Sequence, residues 1–154
     1  MEQLGQLRLT FLPDDPPSMG ELIAQVSSSG FCGQGQAWFN VSEIDGFAAE
    51  LATMPLSPNQ TVSLEGGYWS TEQSGTLEQV HVSIRVYPIG TKGQVGVRVH
   101  LADRLERNDR RESQNQATVE LKTTYGALES FARDLRRLQL SQANEAILHE
   151  ETLL

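Results

Sequence analysis

The sequence predicts an α+β fold, with an antiparallel sheet of about six or seven strands, strongly curved or split, covered by two amphipathic helices. Two observations lead there. In residues 77–87 (LEQVHVSIRVY) and 94–101 (QVGVRVHL) apolar and polar residues alternate, the pattern of strands with one face buried. Elsewhere, Ile44, Phe47, Ala48, Leu51 and Met54, and again Leu128, Phe131, Ala132, Leu135 and Leu138, recur at helical spacing.

Taken in order, Leu4, Leu7, Leu9 and Phe11 mark a first strand, closed by the loop Pro13-Asp14-Asp15-Pro16-Pro17. Residues 20–28 read as a second strand and FCGQG as a glycine-rich turn. Residues 35–41 form a third strand, with Ala37, Phe39 and Val41 on one face. Ser42 reads as a helix N-cap with Asp45 three residues on, and Pro55 stops that helix. A short strand at 60–65 leads into the loop GGYWSTEQSG and then the hairpin. A hairpin turn centred on Gly90-Thr91 sets Ile84 opposite Val97 and His81 opposite His100 on the outer face. The charged stretch 102–113 reads as a hairpin end or loop, residues 114–122 as a strand, and Tyr125 to Leu138 as the second helix. Residues 1–138 make one domain; the tail 139–154 either extends the helix, docks separately or frays.

The two helical patterns superimpose at a constant offset of 84 residues, and each follows a strand. That fits two related ββ(β)βα halves, and equally the spacing any two amphipathic helices share.

Composition narrows the class. Hydrophobic residues are 38% of the chain and charged residues 21%, ordinary for a globular protein. No apolar run is long enough to span a membrane, and the opening residues lack the marks of a signal peptide. A single cysteine, Cys32, fits a reducing, cytoplasmic setting and reads as a small core residue beside Phe31. The charge is lopsided: Met1 to Ile84 carries ten acidic residues and one basic, whereas Arg85 to Leu154 carries ten and eleven, so the net -8 is -9 in the first half and +1 in the second. An acidic half disfavours nucleic acid and suits a basic protein partner.

Chemistry-bearing motifs are absent: there is no GxSxG, HExxH, Walker or CxxC pattern, which argues against an enzyme and against a bound cofactor. His81 and His100 lack a third and fourth ligand, and Arg85 and Arg98 beside them would oppose a cation. The binding candidates are Glu65, Tyr68 and Trp69 in the glycine-rich loop, and Trp38. Tyr and Trp dominate binding hot spots. The loop aromatics either meet a partner or fold back over the sheet edge, and Trp38 either faces outward or packs under a helix.

The runs GFCGQGQAWF, FAAELATMP, LEGGYW, VHVSIRVYPIG and GQVGVRVHL, in that order over residues 20–138, resemble small bacterial proteins related to WapI-type immunity proteins. The resemblance implies a non-enzymatic role in neutralising a toxin and carries no particular contact residue with it. Two other readings compete: a structural or homo-oligomeric subunit, and a small-ligand-binding domain on the concave side of the sheet.

Overall fold

The computed structural model describes residues 4–14, 17–53 and 55–152. Its chain order is β1 (Gln6–Pro13), β2 (Met19–Ser28), β3 (Phe31–Asn40), α1 (Val41–Leu51), β4 (Val62–Trp69), β5 (Leu77–Ile89), β6 (Gln94–Ala102), β7 (Gln116–Thr124), α2 (Tyr125–Gln139) and β8 (Ala146–His149). The α+β class holds, but the strands form two four-stranded antiparallel sheets, ordered β3-β2-β1-β8 and β4-β5-β6-β7, in place of one curved sheet. The reason is burial. Eight strands each carry an apolar face, and two short helices cannot cover them all, so each sheet becomes the other's lid.

The inward residues of both sheets (Leu7, Leu9, Leu22, Ala24 and Phe39 among the first, Ile84, Val97, Val99 and Leu121 among the second) join Ile44, Phe47, Leu128, Phe131 and Leu135 of the helices in one continuous core. The helices run antiparallel: Asp45 near the start of α1 meets Arg136 and Gln139 near the end of α2, while the Tyr125 hydroxyl at the start of α2 accepts from the Leu56 N–H beyond α1.

The sheets cross through β3. A Cβ placed on Gly33 would stand 2.6 Å from Cβ of Ala117 in β7, and one on Gly35 would stand 2.5 Å from the His81 carbonyl oxygen of β5 and 3.2 Å from Leu101 in β6. Farther on, Ala37 and Phe39 pack on Gly66 of β4. β3 therefore lies across all four strands of the second sheet. Residues 31–35 accordingly belong to this strand, and the tight turn is Ser29-Gly30, both at positive φ (52° and 86°). The glycines first read as a turn are the places where two backbones pass too closely for a side chain. Cys32, on the opposite face from the core, is exposed and not the buried residue expected.

Two other expectations are corrected, and one falls outside the described residues. Helix α1 begins at Val41, with Asn40 as its N-cap and Glu43 Oε1 accepting from the Asn40 N–H at 2.9 Å, so Ser42 and Asp45 lie inside the helix. Met54, expected to close that helix's apolar stripe, lies outside the described residues, as do Asp15 and Pro16. The tail contains strand β8, which pairs with β1 (Leu7 with Leu148, Leu9 with Ala146) and buries both Ala146 and Leu148.

The two halves share one plan. In each half a three-stranded meander (β1-β2-β3 or β5-β6-β7) feeds a helix from its last strand, and the strand after that helix (β4 or β8) joins the other half's meander, beside β5 or β1 respectively. The offset of 84 links the N-caps Asn40 and Thr124, the helix starts Val41 and Tyr125, and the strand starts Val62 and Ala146. Gly33 and Ala117 are also equivalent at this offset and touch each other. A self-contact of this kind is what a two-fold relation between the halves produces.

Candidate functional site

The sequence-derived binding residues fall in two places. Glu65, Tyr68 and Trp69 do not occupy a loop. They lie on β4, an edge strand, where the register with β5 slips at Gly66/Gly67 and again at Tyr68/Trp69. These bulges explain why the run read as loop: two adjacent glycines interrupt the alternation, yet the ladder resumes beyond them.

Tyr68 is turned inward along the sheet. Its ring meets His81 edge-on at 4.7 Å between centroids, and its hydroxyl donates to Glu106 Oε1 at 3.1 Å. His81 is 1% exposed. Gln79 clasps the Leu105 backbone both ways, Nε2 donating to the carbonyl (2.8 Å) and Oε1 accepting from the N–H (3.0 Å). That orients the amide so that Oε1 faces His81 Nε2 at 2.9 Å, and Nε2 must therefore carry the proton. Burial, reinforced by the Arg104 charge, holds the His81 pKa below its ordinary 6.5, while Glu106 pulls weakly the other way. Tyr68 and His81 thus fasten the 103–106 segment to the sheet edge. Trp69 remains half exposed at the end of β4.

The hairpin register differs from the expected one by two residues. Ile84 faces Val99 and Ser83 faces His100, because the connection spans four residues (90–93) with Gly90 and Gly93 at positive φ. His81 and His100 consequently do not face each other, and only His100 lies on the outer face. No cluster of three or more His, Cys, Asp or Glu suited to a metal occurs among the described residues.

Trp38 belongs to the other sheet. It points away from Ala37 and Phe39 and so lies on the outer face of the first sheet, 53% exposed. Its cross-strand partner on β2 is Glu21, whose partner on β1 is Leu12. Leu12 is 57% exposed and Met19, two residues before Glu21 on the same face, is 37% exposed. The row Trp38–Glu21–Leu12, with Met19 beside it, is an apolar patch built around a carboxylate. A second carboxylate borders it: Asp14 Oδ1 accepts from the Ser18 and Met19 N–H groups, and those two hydrogen bonds hold the Asp14 pKa below its ordinary value. Glu21 is oriented by Gln36 at 3.3 Å and lies 4.0 Å from Arg104. Leu12 and Met19 were not singled out from sequence. They sit at the two ends of the proline loop and become neighbours only when β1 and β2 pair.

The chain matches no protein-family model, no curated protein and no solved structure. Among the described residues no helix is long and apolar enough to cross a membrane. The outer face of the second sheet carries a different constellation, in which Glu65, Ser83, Arg85, Arg98, His100 and Thr118 surround an open depression of about 290 Å³.

Proposed function

We propose that this chain is a non-enzymatic protein-binding module that docks a basic partner on the outer face of its first sheet, with Trp38 as the anchor. The observation that carries this reading is the exposed row Trp38–Glu21–Leu12 with Met19 beside it. Aromatic and aliphatic groups exposed together on a sheet face mark interaction surfaces, and Trp is enriched among the residues that dominate binding energy. Asp14 gives the patch a negative rim, with the Glu21 carboxylate at its centre lying 4.0 Å from Arg104, and the half of the chain that builds it carries -9 against +1 for the other. Such a rim steers a basic partner and penalises an acidic one. The likeness of the sequence to immunity proteins supports the same reading, and a basic toxin is the partner it would supply.

The test compares the tagged wild-type protein with Trp38→Ala and Trp69→Ala in affinity capture from the source cells, eluting with salt. A basic protein retained at equal stoichiometry by wild type and Trp69→Ala, released by salt and lost with Trp38→Ala, is the expected result. Truncating a central Trp costs about 2 kcal/mol or more, roughly thirtyfold in Kd. A basic partner held equally by Trp38→Ala would move the interface elsewhere. Recovery of only the chain itself would favour self-assembly.

A further inference from the structure

The outer face of the second sheet carries an arrangement that the protein-binding reading does not use. Arg85 of β5 and Arg98 of β6 stand directly opposite each other in the ladder, one row from the directly opposed pair Ser83 and His100. Like charges at directly opposed positions work against the sheet unless something bridges them. The neighbouring carboxylates bridge only one. Glu65 Oε1 pairs with Arg85 at 3.6 Å while its Oε2 accepts from Ser83 Oγ at 3.3 Å, and Glu120, which faces Arg98 across β6 and β7, accepts instead from the Tyr87 hydroxyl. Arg98 makes no ion pair among the described residues. His100 Nδ1 bonds Thr118 Oγ1 at 2.7 Å, which leaves Nε2 as the ring's remaining polar atom. The depression these groups border has Val80 as an apolar wall and a volume of about 290 Å³, at the small end of ligand sites.

We infer that this depression is a binding site for a small oxyanion, a carboxylate or phosphate group, held by Arg98 with Arg85 and His100 beside it. An oxyanion set between the two guanidiniums replaces their repulsion with charge-assisted hydrogen bonds, and guanidinium geometry suits both anion types. Glu65 is the competitor for Arg85, so the site is tuned weak and its affinity is set by that carboxylate.

The experiment is a titration of the ¹⁵N-labelled full chain followed by NMR, with sodium phosphate, sodium acetate and sodium chloride added separately at matched ionic strength. Saturable shifts confined to residues around Ser83, Arg98 and His100, produced by phosphate or acetate and not by chloride, are expected. The tighter of the two names the anion class. Arg98→Gln should weaken binding about tenfold or more, as loss of a charged hydrogen-bond donor does, without unfolding the protein, because Arg98 is exposed. Glu65→Gln should tighten it, an effect that a merely structural Glu65 would not produce. Shifts that chloride reproduces, or an Arg98→Gln protein that binds as tightly as wild type, would overturn the assignment.

Discussion

His81 shows how a single residue couples the edge of the second sheet to solution conditions. The buried ring favours its neutral form, so its folded pKa lies below the 6.5 of the unfolded chain. Between these values the unfolded state binds more protons, and its population rises as pH falls. The stabilisation is complete above the unfolded value and is lost as pH drops through the folded one. Urea midpoints should therefore decline as pH falls through the unfolded value of 6.5 and on toward the lower folded one. The decline should be shallower in His81→Gln; an equal slope in that variant would assign the loss to other groups. The sequence did not place this residue correctly. Strict alternation put His81 on the outer face with His100, and the bulge at Gly66/Gly67, which reverses which side of β5 is covered near its start, depends on a strand pairing that no local pattern displays. Trp38 was legible as far as its phase opposite Ala37 and Phe39, but not its neighbours, which come from two other strands.

At the level of elements, the helices were the most legible part, because each carries its own periodicity, although the cap of the first is Asn40 and not Ser42. The second is capped by Thr124, whose Oγ1 accepts from the Ala127 N–H at 3.2 Å. Thr124→Ala should lower stability by about 1 kcal/mol, measured by denaturant unfolding, while Thr124→Ser should restore most of it. If Thr124→Ala were neutral, the helix would owe its start to packing alone. Strand β8 was the element most completely missed. Four residues give too short a run for alternation to stand out, and the tail's mixed polarity hides it. Yet the offset of 84 that linked the helices also carries Val62 and Leu64 onto Ala146 and Leu148, so the repeat itself held the signal.

For the molecule as a whole, the decisive feature is that each sheet is finished by a strand that follows the opposite half's helix. Neither half is then complete alone, and unfolding should be one cooperative event. The two tryptophans make this measurable, since Trp38 lies on the first sheet and Trp69 on the second. Single-tryptophan proteins made by Trp69→Phe and Trp38→Phe should report coincident transitions. In both backgrounds Leu148→Ala, which hollows out the last strand of the first sheet, should cost about 2–5 kcal/mol. A shift seen by Trp38 and not by Trp69 would show that the sheets unfold separately. The sequence left the sheet curved or split, because the patterns of half-buried strands are the same whether they close over helices or over one another, and only the structure divides them into two sheets.

The position of β8 also imposes an order of events during synthesis. The free edge of β1 has to wait for a partner encoded some 130 residues later, on the order of ten seconds at ordinary elongation rates. During that interval β4, the counterpart of β8, is already outside the ribosome, and β5 follows it before β8 arrives. The duplicated plan thus presents the edge of β1 with two strands of the same kind at different times, β4 early and β8 late, and only the late one occupies that edge in the finished fold.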